Sequence, residues 1–260
     1  VRARRILGWT IAGYAAAWLG TSAAMLLLSE RARAGVHRVP APGVPKFARV
    51  DDRVWRGAAP TAEGVRWLRA EGVRTIVDLR TDDDPGPRAV APAGVPVVSI
   101  PVRDGRVPSP GQVRRFLDVV EDARGPVFVH CGAGVGRTGS MVAAYLVGTG
   151  RAYADAAAVR SLAFGPPTLE QFAFMRGLDG PAARRPGRAV TAASRIADAP
   201  RRARARLRGN VTGGARFTHP RLTPGPLRRL IAIGHDGHQE GGPAAPGACR
   251  PALLTDRPIR

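Results

Sequence analysis

Lysine is all but missing from this chain: of its 40 basic residues only Lys46 is one, and the other 39 are arginine. Aromatic residues are scarce too, at 5% of 260, and there are two cysteines, Cys131 and Cys249. Two cysteines cannot build a disulfide framework, so the fold must rest on burial of aliphatic side chains. A hydrophobic share of 44% over this length suffices for one or two domains. Acidic residues number twenty, leaving a net charge of +20. That balance favours anionic partners such as phosphorylated substrates or lipid headgroups. Specific nucleic-acid recognition is not expected, because the basic runs lack interleaved aromatic residues on which bases could stack. The charge is uneven: from Pro181 onward there are 16 arginines against four acids, Asp198, Asp236, Glu240 and Asp256.

Long apolar runs are also absent, with one exception. Ile6 to Leu28 is 23 residues without a charge, enough at about 1.5 Å per residue to cross the roughly 30 Å hydrocarbon layer. It reads as a membrane anchor over residues 1–34. One competing reading is a cleaved secretory signal, for which Ala32-Arg33-Ala34 offers a small-x-small site, but signal cores run only about 7–15 apolar residues. The other, a buried helix of a soluble domain, is disfavoured by Gly8, Gly13, Gly20 and the flanking arginines. Arg2, Arg4 and Arg5 precede the span and Arg31, Arg33 and Arg38 follow it, which leaves its orientation open. Residues 35–46, with three prolines, read as a linker.

From 47 to 180 apolar patterns alternate between strand and helix. Strands are expected at Val54–Arg56, Val73–Leu79, Val95–Ile100 and Val127–Val129. A helix opens after Thr61, with Val65, Trp67 and Leu68 on its apolar side and Gly72 as its stop. Ser109-Pro110-Gly111-Gln112 combines an N-cap serine, proline at the first helical position and glutamine three residues after the cap, a strong helix start. Further helices are expected over Thr138–Val147, Ala154–Leu162 and Thr168 through Met175, and a surface loop over Thr81–Gly94. Strands alternating with helices predict an α/β domain, a mostly parallel central sheet flanked by helices. Beyond Gly180 proline, glycine, alanine and arginine dominate, and residues 181–260 read as a solvated, disordered tail.

The densest chemistry lies in Val127-Phe-Val-His130-Cys131-Gly-Ala-Gly-Val-Gly136-Arg137-Thr138-Gly139. Strand, glycine-rich loop and helix follow one another, so backbone N–H groups and the positive end of a helix can cradle a phosphate. Such a field also favours the thiolate form of a cysteine. Three phosphate-binding patterns overlap here. Gly134-x-Gly136-x-x-Gly139 fits the dinucleotide fingerprint, but a second parallel strand ending in a ribose-binding acid should follow, and Arg151 onward is helical and alanine-rich. A nucleoside-triphosphate loop would need glycine at Cys131 and lysine at Arg137. His-Cys-x5-Arg-Thr fits at every position.

This segment resembles the signature loop of the cysteine-dependent protein phosphatases, the tyrosine and dual-specificity family. Ile100 to Gln112 is similar to the acid loop and following helix of the small atypical members, and Gly139–Val147 to the helix after their signature. Val54–Gly57 and Thr75–Arg80 resemble the opening strands of bacterial members, so the likeness covers residues 47 to 178. It implies a phosphoric monoester hydrolase that uses no metal or cofactor. Cys131 is then the nucleophile and Arg137 the binder of phosphoryl oxygens, within a loop formed by Gly132, Ala133, Gly134, Val135 and Gly136. Thr138 would stabilise the departing thiolate, and His130 would orient the loop and tune the cysteine rather than act as a base. Asp104 is the expected general acid, with Asp82, Asp83 and Asp84 as alternatives; Asp78, inside a strand, is expected to pair with an arginine. Gln171 falls where relatives carry a glutamine, without an assigned role. Ala133 and Val135 stand where relatives acting on inositol lipids carry basic residues, which favours a phosphoprotein substrate: phosphotyrosine, with phosphoserine or phosphothreonine beside it. The rival readings are a phosphoinositide or inositol-phosphate phosphatase and a non-catalytic phosphate-reading module at the membrane. A reactive thiol is vulnerable in an oxidising space, so the domain is expected to face the cytosol, with secretion as the alternative.

Overall fold

Four short aliphatic runs form the centre of the molecule. β2 (Val54–Gly57), β3 (Thr75–Asp78), β4 (Val97–Ser99) and β5 (Val127–His130) lie parallel, and β1 (Ala48–Arg49) pairs antiparallel with β2 at one edge, in the order β1-β2-β5-β3-β4. The structure, a computed structural model, describes residues 2–33, 40–82, 95–180, 184–200 and 203. All of them fall within one compact unit, residues 1–214.

Side chains of successive strand residues point to opposite faces, and the two faces carry separate cores. Val54, Val77, Val127 and Val129 meet α3 (Pro110–Asp122), α4 (Gly136–Gly148), α5 (Ala154–Leu162) and α6 (Leu169–Arg176) through Phe116, Met141, Ala157 and Phe174. Trp55, Ile76 and Phe128 meet Val65 and Leu68 of α2 (Ala62–Ala70). Burial on both sides explains why these strands read as continuous apolar runs.

The caps form as the sequence requires. Thr61 accepts from Gly64 N, and Ser109 and Thr168 each complete a reciprocal capping box, with Gln112 and Gln171. The Asp51 carboxylate accepts from the backbone of Arg53 and Val54, closing the turn before β2, and receives the Tyr145 hydroxyl at 2.9 Å.

Two expectations differ. Residues 40–46, read as linker, pack onto the domain: Val44 is buried, Ala58 N donates to Pro45 O, and the Gly43 and Gly64 backbones approach so closely that a Cβ at Gly64 would lie 2.2 Å from Gly43 O. Glycine at both positions, not the prolines, decides this segment. Likewise residues 188–197, read as part of the disordered tail, form α7 (Arg188–Ala197), whose Ser194 hydroxyl accepts from Glu170 N on α6. Alanine-rich sequence needs only one such anchored face to stay helical. The tail beyond residue 203 and most of the 81–94 loop lie outside the described residues.

α1 (Arg2–Arg33) extends past both ends of the uncharged run and holds one stretch, Gly8–Arg33, long and apolar enough to cross a membrane. Its Ser29 hydroxyl donates to Leu162 O at 2.6 Å, and its Tyr14 hydroxyl to Ile196 O at 2.7 Å.

Candidate active site

Register decides where the site lies. Gly57 of β2 and Asp78 of β3 both stand opposite His130, so three parallel strands end at one level beside the segment that begins with Cys131. Ligands of open parallel sheets bind beyond such carboxyl ends.

Here the chain turns from β5 into α4 through Cys131–Val135. Gly134 takes φ +67, and a Cβ there would lie 2.5 Å from Ala58 N, so this corner accepts only glycine. Ala59 N donates to Gly132 O at 3.1 Å, which ties the loop to the end of β2. α4 has Val135 at its cap position, with no side-chain cap bond. Its first-turn N–H groups are therefore directed at the loop's concave side, where an anion would satisfy them.

Cys131 is 2% exposed and Arg137 4% exposed, while Ala133 lies at the surface. Arg137 Nη1 donates to Val102 O at 3.1 Å, and its Nη2 lies 3.2 Å from Asp104 Oδ1. The loop and the proposed acid thus meet through one guanidinium. Asp104 itself is about half exposed. It sits in a loop fixed from several sides: Val102 N donates to Leu79 O, Gly105 takes φ +73, and Thr168 Oγ1 donates to Gly105 O at 3.0 Å. Asp82 lies in a surface turn, and Asp83 and Asp84 fall outside the described residues. Thr138 is fully buried on the first turn of α4, and its hydroxyl has no partner among the described residues.

His130 is also fully buried, stacked on Phe128, with Nδ1 3.3 Å from Cys131 O. Burial pulls its pKa down to about 4 against the opposing pull of Asp78, so the ring is neutral near pH 7. The 3.9 Å approach of His130 to Asp78 is consequently a neutral contact. Asp78 instead pairs with Arg80, 2.9 Å from Oδ2 to Nη2, as expected for an acid inside a strand. Burial pushes its carboxyl up, but the Arg80 bonds outweigh this and hold it below the usual range.

Two residues had no assigned role. Gln171 is buried; its Nε2 donates to Arg106 O at 3.0 Å and its Oε1 accepts from Thr168 N. A Cβ on Gly136 would lie 2.1 Å from that Oε1, so the carboxamide packs directly on the phosphate loop. The Thr168-x-x-Gln171 capping pattern was present as a signal. Arg56, fully buried in β2, donates from Nη2 to Gly134 O at 2.8 Å and lies over the Phe164 ring at 3.8 Å. A single arginine inside an apolar strand was its only mark.

A strand–Cys–x5–Arg–helix loop closed by a second, acid-bearing loop on a parallel sheet defines the class of cysteine-dependent phosphatases. The chain belongs to the family described as DSP-PTPase phosphatase fused to NAD+ kinase, whose model matches residues 40–177, just over half of the chain. It is 40% identical over 96 residues to the probable NAD kinase 2, chloroplastic, of Oryza sativa subsp. japonica, covering 34% of this chain and 10% of that protein. Over 44 residues it is 50% identical to human dual specificity protein phosphatase CDC14C, covering 17% of this chain and 10% of that one. The chain therefore spans about a tenth of the length of these curated relatives. Among solved structures it is similar to TpbA of P. aeruginosa, with 30% identity, a TM-score of 0.45, and coverage of 55% of this chain and 89% of that one.

Proposed function

We propose that the chain hydrolyses phosphoric monoesters through a cysteinyl-phosphate, with phosphoprotein as substrate. The observation that carries this is the junction at Arg137, which lies in the Cys131 loop and within 3.2 Å of Asp104. In the first step the Cys131 thiolate attacks phosphorus; the S–P bond forms, the ester O–P bond breaks, and Asp104 gives its proton to the departing oxygen. In the second step water attacks the same phosphorus, Asp104 takes its proton, and the S–P bond breaks to release phosphate. Arg137 and the first-turn N–H groups of α4 hold the equatorial oxygens, where charge collects in the transition state. The Thr138 hydroxyl stabilises the thiolate as it leaves, and neutral His130 supports the loop. No metal or cofactor enters this chemistry.

Ala133 and Val135 bring no charge to the loop, which supports phosphoprotein, phosphotyrosine first. One observation favours the inositol-phosphate alternative: a Cβ at Gly165 would lie 3.2 Å from Val135 and 3.9 Å from Lys46 Nζ, so the only lysine ends near the loop. Membrane attachment through α1 is supported by the length and composition of Gly8–Arg33; a cytosolic face for the domain is supported only by the vulnerability of a reactive thiol in an oxidising space.

Release of inorganic phosphate from phosphopeptides and phosphoinositides, measured for wild type and Cys131→Ser, tests the reading. Loss of turnover in Cys131→Ser is expected, with phosphopeptides the better substrates; unchanged aryl-phosphate hydrolysis in that variant would sink the mechanism.

A further inference from the structure

Three arginines are buried around the loop, and two of them face a carboxylate. Arg80 is met by Asp78 at 2.9 Å and Arg137 by Asp104 at 3.2 Å. Arg56 forms no ion pair among the described residues; its polar contact there is the donation to Gly134 O, and its Nε has no partner. A guanidinium buried to this depth is costly unless an anion answers it.

Strand register names the anion. Arg56 stands opposite Val129 on β5, and Cys131 lies two residues further along the same chain. Parallel partners point to one side and the side-chain period is two, so Arg56, Val129 and Cys131 share one face. Burial pulls the Arg56 guanidinium down to about 10, still charged at neutral pH, and a thiolate at Cys131 would oppose that pull. Of the other charged or titratable groups around the loop, His130 is neutral, Asp78 answers Arg80, Asp104 faces Arg137, Arg106 pairs with Glu170, and Lys46, a cation, ends near Val135.

We infer that Arg56 is a positioning residue for the phosphatase reaction, a fixed counter-charge to the Cys131 thiolate from beneath the loop that also pins the Gly134 carbonyl. The inference rests on the reading of Cys131 as nucleophile. Phe164 covers the face of the guanidinium at 3.8 Å, which keeps the charge in place.

The test is the pH dependence of Cys131 alkylation by iodoacetamide in the full chain carrying Cys249→Ala, with folding checked by circular dichroism. Arg56→Gln removes the charge but keeps an amide able to reach Gly134 O; its alkylation midpoint is expected to move alkaline by about one pH unit, a roughly ten-fold slower reaction below the midpoint. Arg56→Lys keeps the charge and is expected to keep the wild-type midpoint. A part that is only structural gives a folded Arg56→Gln with the wild-type midpoint, and that result overturns the inference. If Arg56→Gln does not fold, Arg56→Met, which removes the charge and keeps a long side chain, decides: an alkaline midpoint supports the counter-charge and an unmoved one overturns it. Because alkylation is read without turnover, failure here is distinguishable from failure of the hydrolase reading, which the Cys131→Ser assay reports separately.

Discussion

At the scale of single residues, the sheet end is tuned to keep His130 uncharged. An imidazole held down to about 4 binds no proton in the folded state between about pH 6.5 and 4, whereas the unfolded chain does. Stability therefore falls as pH falls through that window, by up to roughly 3 kcal/mol at its lower end. Asp78, held below the usual carboxylate range, contributes stability that is lost only as pH falls further, through its own lowered value, so the two effects separate. Urea unfolding at a series of pH values should show a steep acid limb for wild type between pH 6.5 and 4.5, and a flattened one for His130→Asn. An identical limb in both would mean that His130 is not the group responsible. Asp78→Asn should be costly at neutral pH, by about 3–5 kcal/mol, since it takes the charge from the carboxylate that meets the buried Arg80 guanidinium at 2.9 Å. A midpoint shift worth less than about 1 kcal/mol would show that solvent or another acid compensates Arg80.

At the scale of elements, the site is a meeting of three segments: the phosphate loop, the acid loop and the start of α6. Arg137 joins the first two through Val102 O and Asp104, and Gln171 joins all three through Gly136, Arg106 O and Thr168 N. Asp104→Ala should lower kcat by about 10²–10⁴-fold with little change in KM, because Arg137 keeps its bond to Val102 O. The loss should shrink for aryl phosphates whose leaving phenol is more acidic and needs less protonation; a loss independent of the leaving group would assign the proton to another residue. Gly136→Ala should cost about 1–3 kcal/mol through its collision with the Gln171 carboxamide. In a double-mutant cycle with Gln171→Ala the two changes should couple by more than about 0.5 kcal/mol, since the smaller side chain removes the clash. Additive effects would mean that the collision is relieved elsewhere. Much of this was legible in the sequence, because strands buried on both faces, N-cap residues and His-Cys-x5-Arg are each written in contiguous letters. What was not legible depends on register. That Arg56 shares a face with Cys131, or that Gln171 presses on Gly136, follows from β2 pairing with β5 and α6 folding back across α4, and no local spacing encodes either.

At the scale of the whole molecule, α1 presents a choice. Tyr14 and Ser29 are both bonded to the catalytic unit, to Ile196 O and Leu162 O, and Ala32 packs beside Ala48, Ala163 and Phe164. From Tyr14 to Ala32 these contacts span 18 residue steps, about 27 Å of helix, and Arg2 to Gly13 ahead of them would rise only about 18 Å, short of the roughly 30 Å a bilayer core demands. The helix cannot lie along α5 and α7 in this way and cross a membrane at the same time. Away from those contacts Ile6, Trp9, Leu19 and Leu27 are nonetheless all well exposed, apolar surface of a kind that soluble chains rarely leave uncovered. If the helix spans, insertion must strip it from the domain and bare the outer side of α5. Hydrogen exchange of the full chain should then show faster exchange over Ala157–Phe164 in phospholipid vesicles than in aqueous solution, together with flotation of the chain with the vesicles. Flotation with unchanged protection of that segment would mean that α1 stays docked and lies on the bilayer surface instead. Because Phe164 touches both the α1-packed cluster and the Arg56 guanidinium beneath the phosphate loop, undocking should also reach the site. Turnover per molecule in vesicles should therefore differ from that in solution, and the difference should shrink in Phe164→Leu, which loses the ring that carries the contact.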